Sequence, residues 1–252
     1  MNLLSLNRWK ASAIHATGSA LIAVTIVVLM LALWYPGAYF DAMGGKMLLL
    51  VVIGVDVVIG PLITLIIFDP KKKSLKFDLA VIVVLQVTAL AYGCYVMLEA
   101  RPVYNVFVVD RFDLIAANQI SSETQVRAKP EFQSLPLTGP KVIATRTIDD
   151  PQRQLDITMN TLNGGKDISE LPEFYVPYDL MALQAGARAK PLAELEKKQP
   201  DQAATIRKFV ADSGRKGDEI GYLAMKARNQ DMAVVVDKAT GAILGFLPVE
   251  PW

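Results

Sequence analysis

Reactive side chains are scarce in this sequence. Its 252 residues include one cysteine, Cys94, and one histidine, His15. A lone cysteine inside an apolar stretch excludes an intramolecular disulfide and any CxxC metal or redox site. Beyond residue 100 there is neither histidine nor cysteine. That removes Ser-His and Cys-His nucleophilic machinery and the usual zinc ligand sets, which need imidazole or thiolate. Net charge is equally scarce. The chain carries +1 overall, and the part after residue 100 holds 19 basic against 20 acidic side chains. No basic field suited to nucleic acid remains. There is no internal repeat or low-complexity tract, and no pattern that asks for a cofactor.

What is abundant is apolar surface. Hydrophobic residues make up 52% of the chain and concentrate toward its N-terminus. Three runs are long enough, at 1.5 Å per residue, to cross a hydrocarbon core of about 30 Å. They cover residues 11–34, 47–68 and 79–98. The first follows Arg8-Trp9-Lys10 and is longer than the apolar region of a cleaved signal peptide. Between the first two runs lies Tyr35 to Lys46, where Pro36, Gly37, Gly44 and Gly45 argue against helix and Trp34, Tyr35, Tyr39 and Phe40 suit a membrane interface. Between the last two lies a tight loop with Lys71, Lys72, Lys73 and Lys76. This asymmetry of positive charge predicts a cytoplasmic N-terminus and lysine loop, and an external C-terminal part. In a cell with two membranes that space is the periplasm.

The middle run carries an acid, Asp56, with Gly60-Pro61 one turn later and Thr64 beyond. Asp56, Gly60 and Thr64 share one helical face, where small and polar groups let another helix approach and hydrogen-bond. Thr88 and Tyr92 of the third run lie at comparable depth and are candidate partners for Asp56. His15 is too shallow for that and shares a level with Thr64. These residues, His15, Asp56, Gly60, Pro61, Thr64, Thr88 and Tyr92, are the candidate packing or partner-contact positions. Ser12, Ala16 and Ala20 add a small-residue stripe on the first run, open to use inside the bundle or against a partner. One intramembrane acid without a basic partner fits a packing role better than an ion path.

After Arg101 the texture is that of a soluble domain. Strands are expected at Val103 to Val109, Phe112 to Ile115 and Lys141 to Ile148, separated by a proline-punctuated connection. Helices are expected at Asp150 to Leu162, and from Pro191 to Ser213 with a break at Pro200. Ile220 to Ala227, Met232 to Asp237 and Ala242 to Pro248 read as an antiparallel meander. The predicted architecture is therefore a three-helix transmembrane bundle over residues 1–100, followed by an α+β domain over 101–252 with a mainly antiparallel sheet.

Enzymatic chemistry is left to carboxylates or a Ser-Lys pair. Ser213-Gly-Arg-Lys216 has the S-x-x-K spacing in which a lysine one helical turn away activates a serine. Gly214 interrupts the tetrad at a helix end, and no S-D-N or K-T-G partner accompanies it. Lys238-Ala-Thr-Gly241 is what a hairpin turn needs, and Gly164-Gly165-Lys166 lacks the spacing of a phosphate loop.

Several stretches together resemble the type IV pilin accessory proteins, the TfpX/TfpZ group. They are Arg8-Trp9-Lys10-Ala11-Ser12 with His15, Trp34-Tyr35-Pro36 with Tyr39-Phe40, Gly44-Gly45, Val55-Asp56, Gly60-Pro61 and Leu75-Lys76-Phe77-Asp78-Leu79. Beyond the membrane runs they continue as Arg101-Pro102, Val109-Asp110-Arg111-Phe112, Ser134 to Pro140, Tyr175-Val176-Pro177-Tyr178, Gly245 to Pro248 and Pro251-Trp252. The resemblance implies an inner-membrane factor that supports its cognate major pilin, alone or with other pilus-assembly components, and it carries no catalytic residue. A periplasmic enzyme, a Ser-Lys hydrolase or a pilin-modifying activity, is the competing expectation.

Overall fold

The computed structural model describes residues 7–252, and the chain forms two compact units. One comprises the described residues through Leu33 together with Gly45–Glu99; the other comprises Trp34–Gly44 and Ala100–Trp252.

The first unit is helical. Helix α1 (Arg8–Leu33) and helix α5 (Leu75–Ala100) each run 26 residues without interruption, and both are long and apolar enough to cross a membrane. The middle apolar run is helical from Gly45 to Ile67 but changes register on the way. Helix α3 (Gly45–Ile53) passes into a π-helical turn at Gly54–Ile59, and α4 (Gly60–Ile67) continues from it. Pro61 is the physical reason. Its ring clashes with a carbonyl in regular α geometry and it brings no N–H, so the ladder widens to let Gly60 N–H reach the Val55 carbonyl five residues back. The three expected runs thus appear as two uninterrupted helices and one segmented helix.

The short helix α2 (Tyr39–Ala42) lies in the Trp34–Gly44 loop, where glycine and proline were expected to exclude helix. This loop belongs to the second unit.

The second unit is built on a mixed sheet. Its strands are β1 (Pro102–Val108), β2 (Arg111–Ala116), β3 (Lys141–Thr145), β4 (Tyr175–Pro177), β5 (Lys190–Pro191), β6 (Ile220–Lys226), β7 (Met232–Asp237) and β8 (Ile243–Leu247), in the order β4-β3-β1-β2-β6-β7-β8 with β5 also on β6. The expected meander β6-β7-β8 is antiparallel in register. The pairs β1–β3 and β2–β6 are parallel, so the sheet is mixed, although its other five pairings are antiparallel as expected. Strand β1 is buried along its whole length, which is why its sequence is nearly continuous in apolar residues rather than alternating.

Five helices complete this unit: α6 (Ser122–Gln125), α7 (Pro151–Leu162), α8 (Ala182–Arg188), α9 (Leu192–Lys198) and α10 (Ala203–Ser213). Asp150 caps α7 by accepting from Gln152 N–H, and Gly214, at φ 64°, ends α10. Two apolar clusters fill the interior. One gathers Val106, Ile115, Phe132, Ile143 and Tyr175 around β1 and β3. The other gathers Leu195, Ile206, Ile220, Tyr222, Val235 and Leu247 where α9 and α10 cover β6, β7 and β8.

Candidate functional site

In the helical unit, polar side chains form a seam along α4. Ser12 Oγ donates to the Pro61 carbonyl at 2.9 Å, and one turn on His15 Nδ1 lies 2.6 Å from Thr64 Oγ1. The small-residue stripe of α1 is thus used, at Ser12, inside the unit. Pro61 leaves a second debt in the ladder, because in π register its missing N–H would have gone to the Asp56 carbonyl. Gln86 of α5 supplies the donor instead, its Nε2 lying 3.1 Å from that oxygen. Gly60 makes the approach possible, since a Cβ there would occupy the space of the Gln86 carboxamide. Gln86 was not singled out in the sequence. A glutamine in the middle of an otherwise apolar run was the available signal.

Gln86 separates two clefts. An apolar groove of about 510 Å³ lies between α4 and α5, and a smaller one of about 240 Å³ opens between α1 and α5. Asp56 lines the smaller one. It is buried, and its Oδ1 has no hydrogen-bond partner among the described residues. The partners expected for it are elsewhere. Thr88 Oγ1 donates to the Val84 carbonyl of its own helix, and Tyr92 is 68% exposed. The structure therefore brings together His15, Gly60, Pro61 and Thr64 around α4, and leaves Thr88 and Tyr92 on outward faces of α5.

In the second unit, the Trp34–Gly44 loop is the organising feature. Tyr35 and Tyr39, aromatic residues expected to suit a membrane interface, are buried against protein. Asn105 of β1 donates from Nδ2 to the Tyr39 hydroxyl at 2.6 Å, and the Tyr39 ring meets Phe246 of β8 at 5.3 Å. Strands β1 and β8 are separated in the sheet by β2, β6 and β7, so one ring can touch both only because the sheet curls into half a barrel around it. The β6–β7 turn holds the loop from the other side. Asn229 N–H donates to the Ala42 carbonyl at 2.8 Å and Asn229 Nδ2 to the Asp41 carbonyl at 3.1 Å.

Several of the family-like stretches meet here. Arg101, buried, donates from Nε and Nη2 to the Pro136 carbonyl at 3.3 and 3.1 Å. A Cβ on Gly139 would touch Pro36. Burial pushes the Tyr35 hydroxyl up to about 12, against the pull of Arg101 and Arg228, and does the same to Tyr39 against its bond from Asn105. Both stay neutral and act as packing groups with a polar tip.

The remaining chemical candidates are structural in geometry. Ser213 Oγ donates to the Val210 carbonyl and accepts from Arg215 N–H, which spends it on the helix end; no hydrogen bond joins it to Lys216 among the described residues. Asp237 accepts from Thr240 N–H, Thr240 Oγ1 and Ala239 N–H in the β7–β8 turn. Those bonds, Thr240's first, hold its carboxyl below the usual range. Among the described residues no group of histidine, cysteine, aspartate and glutamate could hold a metal ion.

No family model matches the chain, and no solved structure matches it. Three curated proteins from Dichelobacter nodosus do. The fimbrial assembly proteins of serogroups I and E1 are each 29% identical over 233 residues, covering 91% of this chain and 90% of theirs. The fimbrial assembly protein of serogroups C1 and C2 is 35% identical over 113 residues, covering 44% of this chain and 86% of its own. By this similarity, which runs almost end to end, the chain belongs to the type IV pilin accessory family whose motifs it carries.

Proposed function

We propose that this protein is a non-enzymatic factor of the bacterial inner membrane that supports a type IV pilin, before or during its assembly into fibres, by direct contact. The observation that carries the role is the similarity over 91% of the chain to proteins named for fimbrial assembly. Membrane residence is supported by the helical unit, whose two long helices have only 11% of their most apolar stretches buried. A soluble protein's core helix would hide that surface, whereas lipid accepts it.

Connectivity supports three crossings. The Trp34–Gly44 loop and the chain from Ala100 onward fold as one unit, so both lie on one side of the bilayer. The segment Gly45–Ile67 must then leave that side and α5 must return to it, which puts the lysine loop opposite. Positive charge assigns the lysine side to the cytoplasm and the sheet unit to the periplasm. The engaged Ser213 hydroxyl supports a binding role over Ser-Lys catalysis.

The test has two parts. A reporter active only in the periplasm is expected to work when fused after Trp252 and to fail at Ser74; the reverse pattern overturns the topology. Deleting the protein from a piliated strain is expected to remove surface pili while pilin is still made. Full piliation in its absence, or loss of piliation without any pilin co-isolated from solubilised membranes, overturns assembly by direct contact.

A further inference from the structure

We infer that the cleft between α1 and α5 seats a membrane-spanning helix of the partner, and that a donor on that helix hydrogen-bonds the Asp56 carboxyl. This rests on the membrane reading above and specifies how the pilin is gripped. Asp56 is 6% exposed and lines a cleft of about 240 Å³, with Oδ1 lacking a partner among the described residues. At hydrocarbon depth such a group is costly unless paired. Among the described residues no hydrogen bond reaches that oxygen, from His15 included, although its ring also lines the cleft. Thr64 holds His15, Gln86 serves the main-chain oxygen of Asp56, Thr88 bonds Val84, and no hydrogen bond joins Asp56 to Ser19, which also lines the cleft. The shape suits a helix. Gly18 faces the cleft with nothing within 4 Å of where its Cβ would stand, and Ile22, Val83 and Val87 form exposed apolar walls. A small residue below and apolar flanks allow close helix approach, with one polar contact to fix depth and rotation. The donor sought is a hydroxyl, amide or amine on an otherwise apolar helix.

The experiment uses the full-length protein in membranes of piliated cells, with photoreactive residues at Ile22 and Val87, and at Val58 as a control. Pilin adducts are expected at the first two positions and not at the third, mapped by mass spectrometry to within one helical turn of a donor side chain. Asp56→Leu is expected to lower adduct yield about tenfold at equal protein level, whereas Asp56→Asn, which can still accept, stays within about twofold. Alanine at the mapped donor of the partner is expected to give the same loss without altering this chain, which guards against misfolding of the Asp56 variants. Adducts only with lipid or a second copy of this chain, equal adducts at Val58, or yields indifferent to Asp56→Leu would overturn the inference. If the pilin co-isolates but never marks the cleft, the grip is wrong and the function stands. If the cleft marks a different membrane helix through Asp56, the grip stands and the pilin reading falls.

Discussion

The two units obey one rule inside and opposite rules outside. In the sheet unit Val106, Phe107, Ile220 and Val234 are fully buried; in the helical unit Leu21, Ile66, Val84 and Leu85 are mostly exposed while Asp56 and Thr64 are hidden. Yet both interiors handle polar groups alike. Asn105 Nδ2 is engaged by Tyr39, His15 by Thr64 and the Asp56 carbonyl by Gln86. On the membrane reading proposed above, the inverted exterior follows from lipid as the solvent, while the paired interior follows from the cost of an unmade hydrogen bond, which is high in either medium. Among the described residues orphaned atoms remain in both units, Asn105 Oδ1 and the Tyr222 hydroxyl in the sheet unit and Asp56 Oδ1 in the helical one, and Asp56 is where the helical unit looks unfinished.

The sharpest way to break the contrast is to cut the sheet unit at its sequence boundary. Residues 100–252 expressed alone lack Tyr35 and Tyr39, each worth about 3–5 kcal/mol as a buried aromatic, against a domain stability of about 5–15 kcal/mol. The fragment is expected to lose its near-UV circular dichroism and cooperative melting, and to regain both when Trp34–Gly44 is fused to its N-terminus through a flexible linker. A well-folded fragment without the loop would make the loop an ornament.

Tyr39→Ala in the whole protein comes next, expected to destabilise the sheet unit by about 3–5 kcal/mol. Tyr39→Phe costs about 1–3 kcal/mol, because it orphans the buried Asn105 amide. Denaturant melts of the detergent-solubilised protein measure both. Since burial raises the Tyr39 hydroxyl from 10.0 to about 12, its neutral form is favoured in the fold. The associated stability is whole below pH about 10 and is lost as pH climbs toward 12.

In the helical unit, Gly60→Ala drives a methyl into Gln86 and is expected to cost about 1–3 kcal/mol, read as lower protein level in membranes. Gln86→Ala frees that space, so the double variant is expected to fall less than the sum of the two. Simple additivity would mean Gly60 and Gln86 do not meet.

The smallest effects are in turns. Val109 is a β-branched residue at φ 55° in the β1–β2 turn, and Val109→Gly is expected to raise stability by about 1 kcal/mol. Asp237, held low by Thr240, stabilises the fold above the ordinary carboxylate range and loses that contribution as pH falls through it. Asp237→Asn is expected to flatten acid unfolding of the sheet unit and leave neutral-pH topology unchanged.

What could be read in the sequence was what is local. The meander β6-β7-β8 announced itself because its turns, Asn229 to Asp231 and Lys238 to Gly241, join neighbours in the sheet. The parallel pairs β1–β3 and β2–β6 did not, because their partners are joined by long crossovers that carry no turn signal. Strand β4, three residues ending in Pro177, and β5, two residues, are too short for any periodicity. Gly60-Pro61 signalled a disturbance in the middle helix but not its π form, nor that Gln86 would repair it from another helix. The aromatic residues around Tyr39 read as a membrane belt because composition alone does not separate an interface from a core.

The captured loop also imposes an order of events. Tyr39 leaves the ribosome 66 residues before Asn105, and Asn229 follows Asp41 by 188. The earliest part of the sheet unit must therefore wait for nearly the last. On the topology proposed above, α1 and the segmented helix bracket it, so it would wait as a short hairpin tip delivered across the bilayer before any strand exists. A chain whose first hairpin inserted the wrong way round would then strand Tyr35 and Tyr39 in the wrong compartment and leave the sheet without its centre. Completion of the fold would on that topology be a record of correct insertion, written in closures of very long range.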